Sequence, residues 1–207
     1  MIVGCGPGSP LYVTEAARQA VAGAEVLVGS RRLLELFPNS PAARILVEAD
    51  IPAILAKIAD IRAAGGNIAV LVSGDPGLYS LARQVLQRFG RERCEVIPAV
   101  SSVQVAFARL GLDWSDARIL SAHAAAPEIT ADELRRADKL AILAGAKGAL
   151  RWAASAARLL ESSHAAVLCE NLTLDGERIA HLSPGQLDSI DAASLAIVLL
   201  IRRTLLS

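Results

Sequence analysis

Three short turns carry the residues that could do chemistry in this 207-residue chain. They are Gly4-Cys5-Gly6-Pro7-Gly8, Ser73-Gly74-Asp75-Pro76-Gly77 and Pro98-Ala99-Val100-Ser101-Ser102. Glycine lets a backbone approach a ligand closely, and the second and third turns add one carboxylate and two hydroxyls. Asp75, standing before Pro76, can equally be only the N-cap of the following helix, and one serine of Ser101-Ser102 can cap a helix, leaving the other hydroxyl for a ligand. The first turn is not a dinucleotide fingerprint. Gly4-x-Gly6-Pro7-Gly8 lacks the third glycine spacing of G-x-G-x-x-G, and Pro7 has no N–H to offer a pyrophosphate. No Gly-Lys-Ser/Thr follows, so it is not a P-loop. The turn permits close approach without a phosphate cradle; taken alone, it equally suits a plain strand-to-helix connection.

The elements that must position these turns are legible on either side of them. Each turn follows a short apolar run: Met1-Ile2-Val3, Ile68 to Val72 and Glu95-Val96-Ile97. Each also precedes helical periodicity. Leu78, Leu81, Ala82, Val85, Leu86 and Phe89 share one helical face, with Pro76 placed to start that helix. Val103, Ala106, Phe107 and Leu110 repeat the pattern after Ser102, which reads as an N-cap. Ile51, Ile54, Leu55, Ile58 and Ile61 follow Asp50, a further N-cap. Apolar runs at Val26 to Val28 and Arg44 to Val47 complete an α/β domain over 1–112 with a mainly parallel sheet. Parallel strands place their following loops on one sheet edge, where α/β proteins bind ligands.

Residues 113–207 read as a second α/β domain with a mixed sheet. Strand candidates are Ala117 to Ser121, Lys139 to Leu143, Ala165 to Cys169, Arg178 to Leu182 and Leu195 to Ile201. Capping boxes stand at Thr130 to Glu133 and Ser183 to Gln186, and Lys147 to Leu160 is alanine-rich and amphipathic. Asn171 to Glu177 carries a hairpin signal.

Composition narrows the function classes. The chain is 53% hydrophobic but only 3% aromatic, so its core is aliphatic, as suits helices on a parallel sheet. Basic and acidic residues balance at 21 each, and no Lys/Arg block suggests a nucleic-acid partner. Cys5, Cys94 and Cys169 are widely spaced beside apolar runs and read as buried free thiols of a reducing compartment. With His123, His164 and His181 equally scattered, no metal site is expected. No apolar run reaches the ~18 residues of a membrane span, and a cytoplasmic protein is expected.

The three turns, in this order, resemble those of the tetrapyrrole (corrin and porphyrin) methylases, a family that uses S-adenosylmethionine. Gly4 to Ser9 is similar to the family's first loop, Gly74-Asp75-Pro76 to its second and Ser101-Ser102 to its third. Val28 to Phe37, Val72 to Gly77, Ser101 to Gly111, Cys169 to Leu172 and Glu177 to Ile179 resemble the branch that methylates carbon C5 of precorrin-7 in cobalamin (vitamin B12) biosynthesis. The similarity covers essentially the whole chain. It implies a two-domain fold with a cleft, a methyl donor but no metal, and a homodimer. The implied cofactor contacts are Pro7, Gly8, Ser73, Gly74, Asp75, Leu78, Ser101 and Ser102, with Ala144 and Ala180 from the second domain. An acidic tetrapyrrole needs cationic or amide donors, for which Arg31, Arg32, Arg109 and Lys147 are candidates, each readable also as a surface charge. Asp75 and His123 are the candidate bases, and neither is assigned.

Three departures stand against the family pattern. Ala99 replaces a glycine, Ser121-Ala122-His123-Ala124 lacks a His-Gly-Arg, and Leu143 to Lys147 lacks a Thr-Asp. They keep two alternatives open: another corrin position as acceptor, or a non-enzymatic subunit that binds cofactor or tetrapyrrole. The length leaves no room for the C15-methylating, decarboxylating domain sometimes fused to this branch, so a separate partner is expected to supply that activity where it is needed.

Overall fold

A computed structural model describes residues 1–122, 125–145, 148–190 and 195–206. It divides into two compact units, Met1–Ser101 and Ser102–Ser207.

The first unit is a five-stranded sheet of β1 (Ile2–Gly4), β2 (Val26–Gly29), β3 (Ala43–Leu46), β4 (Ile68–Val72) and β5 (Val96–Ile97), in the order β3-β2-β4-β1-β5. Every pairing is parallel, with Val3 opposite Leu71 and Ile97, and Val28 opposite Ile45 and Val70. Side chains alternate across the pleat. Val3, Leu27, Ala69 and Leu71 pack on one face with α1 (Glu15–Ala22) and α2 (Arg31–Leu34). Ile2, Val28, Ile68, Val70 and Val72 pack on the other with α3 (Ile51–Ala63) and α4 (Ala82–Phe89). Asp50 caps α3, accepting the Ala53 N–H at 3.0 Å.

Two local expectations shift. The helix after the second turn begins at Ala82, so neither Pro76 nor Leu78 belongs to it. Leu78 N–H closes a turn on the Asp75 carbonyl at 3.1 Å, and Tyr79 has φ +45°, which takes the chain off the helical path. Ser102 is the first residue of α5 (Ser102–Arg109) rather than the residue before it. That helix contacts the last strand of the second unit, which places the division at 101/102, earlier than the expected 112.

The second unit is a mixed sheet of β6 (Arg118–Ser121), β7 (Lys139–Leu143), β8 (His164–Glu170), β9 (Arg178–Leu182) and β10 (Ala196–Arg202), in the order β6-β7-β10-β8-β9. Only β6 and β7 run parallel; β8 and β9 form the expected hairpin, Leu168 opposite Ala180. Leu140, Ile142, Leu168, Val198 and Leu200 form one buried face, covered by the alanines of α7 (Ala149–Leu159). Alanine at 153, 154, 156 and 157 lets that helix sit close to the sheet. Both capping boxes are formed, on α6 (Ala131–Arg136) and α8 (Pro184–Ser189).

Candidate functional site

The parallel sheet of the first unit brings the three turns together at the carboxyl ends of β1, β4 and β5. Glycine makes the approach possible. A Cβ at Gly4 would stand 2.7 Å from the Ala99 Cβ, 2.8 Å from the Pro76 Cδ and 3.0 Å from the Gly74 carbonyl oxygen. One position therefore touches both other turns, and Ala99 fits there because residue 4 is glycine. Gly6 has φ +75°, and a Cβ on it would meet the Tyr12 carbonyl at 2.8 Å, so it is closed to larger residues on two grounds.

Backbone hydrogen bonds fasten the first turn to the second. Cys5 N–H donates to the Val72 carbonyl at 2.9 Å and Gly74 N–H donates to the Gly6 carbonyl at 2.8 Å. Asp75 fastens the second to the third: one carboxylate oxygen accepts the Gly77 N–H at 2.8 Å and the other the Ala99 N–H at 3.0 Å. It does not cap a helix as expected, because the helix begins at Ala82; its two oxygens join two turns instead. With both oxygens engaged by amides, Asp75 holds the turns together. Around it, Pro7, Gly8 and Gly74 are buried, Leu78 is half-buried and Ser73 is exposed.

Arg32 reaches this edge from the end of β2. Its Nη2 donates to the Ser73 hydroxyl at 2.9 Å, whereas its Nη1 is buried and has no hydrogen-bond partner among the described residues. Burial pulls the guanidinium below its ordinary pKa, a fall that Cys5 would oppose only as a thiolate. Burial also pushes Cys5 up to about 12, so the thiol is neutral and gives Arg32 no ion pair. Sequence reasoning named Arg32 as an acceptor-binding candidate but had no signal for its link to Ser73. Nor did it foresee the Asp75–Ala99 bond, for which Asp-Pro-Gly, a sequence that favours side-chain-to-backbone turns, was the available hint.

Ser101 is buried at the end of the first unit. Ala144 and Ala180 belong to the second unit, on the line of β7 and on β9, with β10 and β8 between them. Two intervening strands and a two-residue offset in register put them about 16 Å apart. Arg31 is exposed, and Arg109 forms an ion pair with Glu177 at 2.6 Å, whose other oxygen accepts the Thr173 N–H. His123 and Lys147 lie outside the described residues, as do Ala124 and Ala146. Among the described residues no group of three His, Cys, Asp or Glu side chains could hold a metal ion, and no helix is long and apolar enough to cross a membrane.

Residues 1–188 match the family model described as tetrapyrrole (corrin/porphyrin) methylases. The chain is 34% identical over 98% of both chains to the cobalt-precorrin-7 C(5)-methyltransferase of Salmonella typhimurium. It is 33% identical to the solved cobalamin-biosynthesis precorrin-6Y methylase of Archaeoglobus fulgidus, covering 97% of this chain and 96% of that one with a TM-score of 0.72. The fold is shared also by a uroporphyrin-III C-methyltransferase of Thermus thermophilus solved with bound S-adenosylhomocysteine, at 21% identity and a TM-score of 0.74 over 97% and 90% of the two chains.

Proposed function

The chain belongs to the tetrapyrrole (corrin/porphyrin) methylase family, and from that premise we propose that it is an S-adenosylmethionine-dependent methyltransferase acting on carbon C5 of precorrin-7, or of its cobalt form, in cobalamin biosynthesis. The observation that carries the reading is the convergence of three small-residue turns at Gly4, fastened by Asp75, in a chain 34% identical along its length to a C(5)-methyltransferase. No turn carries a phosphate-binding fingerprint, and the Gly, Pro, Ser and Asp residues present suit a nucleoside thioether better than a pyrophosphate. The donor set therefore fits S-adenosylmethionine. Pro7, Gly8, Ser73, Gly74, Asp75, Leu78, Ser101 and Ser102 would hold it, and the family resemblance adds Ala144 and Ala180.

The bound cofactor supplies an electrophilic methyl group on sulfur. The protein's own contribution is positioning: the interlocked turns fix the ligand's place and direction, and small buried residues exclude water from it. Little covalent help from side chains is needed, which agrees with Asp75 being occupied by backbone amides. The reading extends to a metal-free, cytoplasmic homodimer, with any C15 methylation and decarboxylation left to a separate protein.

Incubation with cobalt-precorrin-7 and methyl-labelled S-adenosylmethionine tests it. Label at C5 is expected. Label at another ring carbon would move the acceptor, and binding of both ligands without transfer would make the chain a binding subunit.

A further inference from the structure

The arginine at the end of β2 has a place in the site that its structural contacts do not explain. Arg32 follows β2 and Ser73 follows β4, and these strands are neighbours, with Val28 opposite Val70. The guanidinium thus bridges the carboxyl ends of two adjacent strands on the edge where the three turns meet. Among the described residues its single hydrogen bond goes to a neutral hydroxyl, and Nη1 is buried without an acceptor. A guanidinium carries five N–H donors and stays charged, so among the described residues this one is left both under-bonded and without a counter-charge. The carboxylate of the same turn does not supply one, because both Asp75 oxygens accept backbone amides. The Cys5 thiol beside it is neutral.

We propose that Arg32 is a carboxylate receptor of this site, taking a carboxylate of the bound ligand on its Nη1–Nη2 edge. The planar fork matches a carboxylate with two parallel N–H···O bonds, which a lysine cannot reproduce. Ser73 holds the fork at the turn until the ligand arrives; the guanidinium then turns out from its resting place, so that Nη1, buried in the free protein, meets the carboxylate together with Nη2. This inference rests on the methyltransferase reading for the identity of its ligands. Two of them carry carboxylates: the amino-acid end of the cofactor and the side chains of the acceptor.

Calorimetry on the full chain and its Arg32→Gln and Arg32→Lys variants, with S-adenosylhomocysteine, methylthioadenosine and cobalt-precorrin-7 as probes, tests the assignment. Methylthioadenosine has no carboxylate, so all three proteins should bind it alike. Loss of a hydrogen-bonded charge pair should weaken one carboxylate ligand about 10- to 100-fold in the glutamine variant, and less in the lysine variant. Weakened S-adenosylhomocysteine with unchanged precorrin identifies the cofactor's carboxylate; the reverse identifies the acceptor's. Melting temperature should hold or rise in the glutamine variant, since a half-buried cation with one buried, under-bonded nitrogen is removed. Wild-type affinity for both carboxylate ligands in Arg32→Gln overturns the proposal, as does a large fall in melting temperature or an equal loss of methylthioadenosine. Failure of the unaltered protein to bind either carboxylate ligand would instead overturn the methyltransferase reading itself.

Discussion

Asp75 illustrates how one side chain can define a site without reacting in it. Its two oxygens receive the amides of Gly77 and Ala99, so a single carboxylate ties the second turn to itself and to the third. Asp75→Asn leaves one of those N–H groups facing an NH2. An orphaned donor of this kind costs about 1–3 kcal/mol. The variant should melt lower and bind S-adenosylhomocysteine more weakly, while Asp75→Ala, which frees both amides, should do so further. A variant with unchanged melting and affinity would show that the turns hold their places without this carboxylate.

At the scale of the element, the caps were the most local features and the most readable. Thr130 accepts the Glu133 N–H at 3.2 Å, and the Glu133 carboxylate accepts the Thr130 N–H at 2.8 Å and its hydroxyl at 2.8 Å. The Thr130 amide first, then its hydroxyl, then Arg118 hold the Glu133 carboxyl down to about 2. A lowered carboxyl pKa favours the fold above the unfolded value and loses that contribution as pH falls through the folded one. Thr130→Ala should cost about 1 kcal/mol. It should also move Glu133 back toward the ordinary carboxylate range in an NMR titration. The second turn shows the opposite case. Its flanking apolar residues repeat at helical spacing from Leu78, yet the helix waits until Ala82, because Asp75 and Tyr79 commit the intervening chain to a turn. Periodicity marks a face; it does not say which end of the face a competing hydrogen bond will unwind.

The whole molecule carries one buried thiol in each unit, Cys5 and Cys169, both fully buried and both pushed up to about 12 from an ordinary value of 9.0, chiefly by burial. Between those values the unfolded chain loses protons that the folded chain keeps, so stability falls as pH rises, by at most about 1.4 kcal/mol per pH unit for each thiol. A Cys5→Ala/Cys169→Ala variant should therefore show a flatter decline in melting temperature above pH 9, and parallel declines would remove the thiols as its cause. Two-unit α/β architecture, most of the strands, both capping boxes and the family were determined by the sequence alone, because each rests on residues near one another in the chain: an apolar run, a cap three residues from its partner, a turn between strand and helix. The site was legible only as three separate turns. That they meet at Gly4, that Asp75 reaches Ala99, that Arg32 reaches Ser73 with one nitrogen left unpaired, and that α5 contacts β10 were decided by tertiary structure. The strand order β3-β2-β4-β1-β5 is the reason, since it sets side by side strands that are distant in the chain, and no local pattern of residues encodes that neighbourhood.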